Sequence, residues 1–93
     1  MDELKRMGVF TKVVQAGSFS EAARRLGVAK SAVSKQIRLL EDEVGVRLLH
    51  RTTRKLSLTE AGGIYYRHCE HIVDRAEIAL NELRQYQNQP TGT

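Results

Sequence analysis

Seven residues toward the end of the chain, Tyr65, Cys69, Ile72, Ala76, Ala79, Leu83 and Tyr86, alternate by steps of four and three. Three heptads of that spacing draw an apolar seam along one side of a helix. Tyr66, Val73 and Leu80 add a row beside it. A helix from about residue 60 to 88 would be roughly 40 Å long at 1.5 Å per residue. Residues 1–58 make too small a globule to cover that length. The seam therefore calls for a partner helix, most simply the same helix of a second copy. The competing arrangement leaves it lying along its own domain.

The rest of the chain supplies a small helical core. Met7, Phe10 and Val14 recur at helical spacing with Leu4 and Val13 at the stripe's edges, which predicts a first helix ending before Gly17. Ser20 is placed to cap a second, short helix through Leu26, with Ala22, Ala23 and Leu26 on its inner face and Phe19 sealing the corner. Gly27 then supplies a left-handed turn. A third helix is predicted from about Lys30 to Val44, where Gly45 stops it. Val33, Ile37, Leu40 and Val44 form its inner stripe, and Ser31, Ser34, Lys35 and Arg38 point away. Glu41, Asp42 and Glu43 gather at the far end of this helix.

Two short runs follow, Arg47-Leu48-Leu49 and Lys55-Leu56-Ser57-Leu58, around the basic stretch "HRTTR". Leu56 and Leu58 alternate with polar residues at period two, so the pair reads as a β-hairpin with a basic tip. Thr59 is placed to cap the long helix, and Glu60 puts an acid at its positive end.

Charge separates the two parts. The 93 residues carry a net +4, but residues 1–58 hold 12 Lys/Arg against 6 Asp/Glu, whereas residues 59–93 hold 3 against 5. A basic globule on a mildly acidic helix favours a polyanion as the globule's partner. Cys69 is the one cysteine, so no disulfide can close within the chain, which suits a reducing cytosol. The first ten residues include acids and no signal-like apolar core, and no run approaches the roughly 18 apolar residues of a membrane span. These features predict a soluble cytoplasmic protein with no membrane partner.

A short helix, a glycine turn and a second helix with a basic outer face make a helix-turn-helix over about residues 19–38. The second helix of such a unit lies in the DNA major groove, its first residues against base edges. Lys30, Ser31, Ser34, Lys35 and Arg38 are therefore the candidate base readers, since Lys can donate to guanine and Ser can donate or accept. The basic hairpin, about residues 47–58, makes the whole a winged helix. From the wing, Arg51 or Arg54 can reach a narrow minor groove, where negative potential is enhanced. The fold class is mainly α: three helices and a hairpin wing in residues 1–58, a linker or dimerisation helix over 59–88, and a frayed tail over 89–93.

In order along the chain, "GSFSEAA", "AVSKQIRLLEDEVGVRLL" and "RTTRKLSLTEAG" resemble the N-terminal domain of LysR-type transcriptional regulators over about residues 10–62. The helix that follows looks like that family's linker helix. The resemblance implies a sequence-specific DNA-binding module of a bacterial-type, nucleoid-associated regulator. It also implies homodimerisation through the linker helix, so that two winged helices face an interrupted palindrome. By carry-over, Lys30, Ser31, Ser34 and Lys35 occupy base-reading positions and Arg54 the minor-groove position. Ser18, Ser20 and Arg51 fall near phosphate, with Thr53 on the wing beside them. The family's effector-binding domain is not within these residues, so a small-molecule effector would act only through a further C-terminal domain.

Two departures from the family pattern bear on readout. Family members commonly have Ser capping the recognition helix and Gln as its first residue, where this chain has Ala29 and Lys30. They also usually carry Arg where Lys35 stands, so a bidentate fork is replaced by a point charge.

Other chemistries find little in the sequence. His68, Cys69 and His71 lie within one turn, but Cys69 falls on the seam and no further ligand is apparent. Glu41, Asp42 and Glu43 diverge around their helix, and no phosphate loop or nucleophile elbow is present. The sequence predicts no enzyme, no cofactor and no metal. The alternative from another class is an oligomerisation module with only nonspecific DNA affinity. Charge reversal at Lys35 separates the two, because it spares assembly and abolishes specific binding.

Overall fold

In a computed structural model, which describes residues 2–51 and 55–88, the chain forms α1 (Asp2–Ala16), α2 (Phe19–Leu26), α3 (Lys30–Val44), β1 (Leu49–Arg51), β2 (Leu56–Leu58) and α4 (Glu60–Asn88). Thr53, Arg54 and the tail over 89–93 lie outside the described residues. Arg51 is placed by its backbone on β1.

Phe10 and Val13 of α1, Ala22 and Ala23 of α2, and Val33, Ile37 and Leu40 of α3 close the core with Leu48, Leu49 and Cys69. The two alanines matter because a small side chain lets α1 and α3 approach α2 closely. Thr11 is buried among these apolar groups, and its hydroxyl donates to the Met7 carbonyl at 2.8 Å. That bond satisfies the one polar atom the side chain brings inside.

Three expectations are corrected by the fold. The cap of α2 is Ser18, whose Oγ accepts from the Glu21 amide at 3.0 Å, while Phe19 and exposed Ser20 are already helical. Leu26 lies at the helix end and is exposed, so Ala22 and Ala23 are the buried part of the inner face, with Phe19 packed partly buried beside them. On α3, Val44 is 48 % exposed and Glu41 is 5 % exposed. The buried stripe thus continues from Ile37 to the residue four positions on, Glu41, and leaves Val44 at the rim.

The hairpin is antiparallel, with Leu49 opposite Leu58, His50 opposite Ser57 and Arg51 opposite Leu56. Arg47 and Leu48 precede the ladder, since their backbone groups bond elsewhere. Thr59 Oγ1 donates to the Arg47 carbonyl at 2.7 Å, and the Thr59 amide donates to the Leu48 carbonyl at 3.0 Å. The same Thr59 hydroxyl accepts from the Gly62 amide at 2.9 Å and so caps α4.

α4 extends past the globule and gives the molecule principal extents of 56 × 24 × 21 Å. Its first turns pack on α1, where the Phe10 ring lies 5.3 Å from Tyr65 and 6.5 Å from Tyr66, centroid to centroid. Cys69 is fully buried and Tyr65 partly so. The seam expected to meet a second copy therefore begins inside the chain's own core at these two residues. α1 ends before it can cover the distal half, so exposure rises from 38 % at Ile72 to 65 % at Leu83 and 78 % at Tyr86. Ala76 and Ala79 are exposed on the same stretch. Among the described residues no helix is long and apolar enough to cross a membrane.

Candidate nucleic-acid interface

The turn between α2 and α3 is fixed by Gly27, whose φ of 70° is a left-handed value that a side chain would resist. The amides of Gly27 and Val28 donate back to the Arg24 and Ala23 carbonyls at 3.3 and 3.1 Å. This closed turn presents α3 with Lys30, Ser31, Lys35 and Arg38 exposed along one side and Ser34 half-buried at its edge. Ala29 precedes the helix in extended conformation and offers no side-chain cap. The first turn of α3 therefore faces solvent without a capping hydroxyl, at the end where a helix favours negative charge.

Four other basic residues of the domain, Arg6, Arg24, Arg25 and Arg47, are paired with carboxylates of the chain itself. Arg6 of α1 pairs with Glu43 at 3.0 Å and donates to Gln36 at 3.4 Å. Arg24 and Arg25 share the Glu21 carboxylate, which their hydrogen bonds and charge hold down at about 2. Arg47 lies 3.8 Å from Glu41. By contrast, Lys30, Lys35 and Arg38 form no ion pair among the described residues. The free positive charge of α3 is thus concentrated on the face predicted to read bases.

Ser18 and Ser20 sit at the start of α2. Ser18 Oγ is engaged as the cap acceptor, yet its own proton remains available to donate outward. Of the predicted wing contacts, Arg51 stands on β1, and Thr53 and Arg54 lie outside the described residues.

Glu41 is the residue that pattern reading passed over. Its Oε2 accepts from the Leu48 amide at 2.8 Å and the Leu49 amide at 3.2 Å, just where the chain enters the wing. The available signal was its position four residues after Ile37, on the core side of α3.

The remaining clusters do other work. His68 and His71 are exposed while Cys69 turns into the core, and no group of three His, Cys, Asp or Glu is assembled among the described residues. Burial pushes the Cys69 thiol up, against hydrogen bonds with Tyr65 and Thr11 that act the other way. Burial, reinforced by Cys69, likewise drives the Tyr65 phenol well above its ordinary value. A protonated, enclosed thiol is a poor nucleophile. On the far side of Tyr65, Val44, Val46, Ile64 and His68 line an open, apolar groove of about 270 Å³.

Comparison with known proteins gives a consistent answer. Residues 4–63 match the model of the bacterial regulatory helix-turn-helix protein, lysR family. The HTH-type transcriptional activator AaeR of Escherichia coli K12 is 46 % identical over all 93 residues, which correspond to 30 % of that protein. The HTH-type transcriptional regulator CrgA of Neisseria meningitidis is 44 % identical over 88 residues, 95 % of this chain and 29 % of CrgA. The chain thus spans about a third or less of the curated relatives it matches. Among solved structures, the BenM DNA-binding domain in complex with catB site 1 DNA superposes with a TM-score of 0.81 at 28 % identity. It covers 94 % of this chain and 98 % of that one. These relatives are named as transcriptional regulators and not as enzymes. With its helix-turn-helix, two-stranded wing and long following helix in that order, the chain belongs to the lysR family of bacterial regulatory proteins and comprises the family's DNA-binding domain.

Proposed function

We propose that this chain reads double-stranded DNA sequence-specifically as a homodimer on an interrupted palindrome, in the bacterial cytoplasm and on the nucleoid. Residues 1–58 act as the reader and 59–88 as the linker helix that joins two copies. The observation that carries this reading is the basic and polar first half of α3, where Lys30, Ser31 and Lys35 are exposed and the two lysines form no ion pair among the described residues. In that arrangement Lys30, Ser31, Ser34, Lys35 and Arg38 meet base edges in the major groove. Ser18, Ser20, Arg51, Thr53 and Arg54 meet the backbone and the minor groove, and the uncapped start of α3 is left to a phosphate. The exposed Ile72, Ala76, Ala79, Leu83 and Tyr86 meet the second copy. The groove beside Ile64 then gives its distal helix an apolar seat. A small-molecule effector, on this reading, acts through the part of such a regulator beyond these 93 residues.

Selection of bound duplexes from a random pool at near-physiological salt tests the proposal. The expected product is an inverted repeat whose half-sites lie about one helical turn, or a multiple, apart. Lys35→Ala should cost about 1–3 kcal/mol and relax preference at one position of each half-site. Enrichment of a lone half-site would remove the dimer from the proposal, and binding with no enriched motif would remove specific readout.

A further inference from the structure

Glu41 is a carboxylate in a place where a carboxylate is costly. It is 5 % exposed, and an ionised group withdrawn from water must be repaid by strong partners. Those partners include the amides of Leu48 and Leu49, both on Oε2, with the Arg47 guanidinium 3.8 Å from Oε1. Hydrogen bonds to an ionised acceptor are about twice as strong as neutral ones. An apolar side chain of the same size would fill the site without that cost. What it could not do is fix the direction in which the chain leaves α3 for β1.

The same few residues are held from the opposite side. Thr59 binds the Arg47 and Leu48 carbonyls, and a Cβ on Gly62 would overlap the Leu48 carbonyl oxygen. Only glycine lets α4 approach this closely. Residues 47–49 are therefore clamped between the carboxylate of α3 and the first turn of α4, at the base of the wing. The recognition helix, the wing and the linker helix meet at this one junction.

We propose that Glu41 is a positioning residue for DNA recognition: by pinning the Leu48 and Leu49 amides it fixes the wing relative to α3, so that both engage DNA as one unit. The inference rests on the DNA-binding reading above. Glu41 itself lies inside the domain and touches no base or phosphate in that reading.

The test compares Glu41→Gln, which keeps a carbonyl oxygen for the two amides, with Glu41→Met, which keeps only the volume. Both are used at a temperature where far-UV circular dichroism matches that of the unmodified chain. On the selected duplex, Glu41→Met should keep guanine protection in the major groove under α3. It should lose hydroxyl-radical protection under the wing and show a salt slope smaller by about one for each phosphate that the wing no longer neutralises. Affinity should fall by about tenfold or more, the equivalent of one good base or phosphate interaction. Glu41→Gln should restore the wing footprint. In the free protein, amide exchange at Leu48 and Leu49 should quicken in Glu41→Met and not in Glu41→Gln. Should Glu41→Met fail to fold, Glu41→Asp, whose oxygen is drawn back by one methylene, is read by the same criteria. An unchanged wing footprint, or equal loss under wing and helix, would overturn the proposal. An unmodified chain that protects no duplex would instead overturn the DNA-binding reading, while the exchange comparison still decides whether Glu41 holds the wing.

Discussion

Ser18 and Ser20 look interchangeable as caps for α2, but they are not equivalent in the folded chain. Ser18 is extended and accepts from the Glu21 amide, whereas Ser20 is inside the helix and exposed. Ser18→Ala should therefore lower stability by about 1 kcal/mol. Ser20→Ala should stay within about 0.5 kcal/mol, as surface substitutions do. Urea unfolding of the two variants decides this, and equal losses would place the cap elsewhere. The correct cap was legible in the sequence, since Ser18-Phe19-Ser20-Glu21 is the spacing of a capping box. Glu21 does not complete that box in the usual way, because its carboxylate turns to Arg24 and Arg25. Glu41 was less legible. A 4-3-4 spacing ending on Val44 competes with a step of four onto a charged residue, and hydropathy favours the valine. The fold chose the carboxylate because the amides of Leu48 and Leu49 arrive beside it, and those partners are seven and eight residues away.

Elements bounded by their own chemistry were readable. α3 ends at Gly45 with φ 76°, and α4 starts on the Thr59 hydroxyl, both as the residue types predict. The hairpin begins two residues later than the apolar run because Arg47 and Leu48 give their carbonyls to Thr59 and not to a strand. The division of α4 was not readable, since a heptad seam has the same spacing whether its partner is α1 or a second copy. Packing of α4 on α1 has a consequence in alkali. Burial raises the Tyr65 phenol and the Cys69 thiol, so the folded chain holds these protons more tightly than the unfolded chain. Their stabilising contribution is complete below the unfolded values, about 8.5 for Cys and 10 for Tyr, and is lost as pH rises toward the folded ones. The melting temperature should hold from pH 7 to about 8 and then decline through the ordinary thiol and phenol range. Tyr65→Phe should flatten the upper part of that decline. Identical profiles for Tyr65→Phe and the unmodified chain would show that the buried phenol does not set the alkaline limit.

At the scale of the whole molecule, the reader and its helix divide the apolar surface between them. Tyr65 and Cys69 are committed to the chain's own core, whereas Leu83 lies 65 % exposed on a helix that extends past the globule. A charge at Leu83 should therefore cost a single copy little, because little of that side chain is withdrawn from water there. In a dimer the same charge would enter a seam between two helices, where it is desolvated without a partner. Leu83→Asp should thus leave the helical content of the chain intact and convert the dimer to a monomer in sedimentation equilibrium. Cys69→Asp, by contrast, should unfold the domain. If two half-sites are read through that linkage, Leu83→Asp should also weaken binding to the full inverted repeat by roughly 10²–10⁴-fold. Affinity for an isolated half-site should be nearly unchanged, since the α3 face lies far from the substitution. A Leu83→Asp chain that stayed dimeric and held the full repeat as tightly as before would move the interface off α4 and leave its exposed seam without a role in DNA binding.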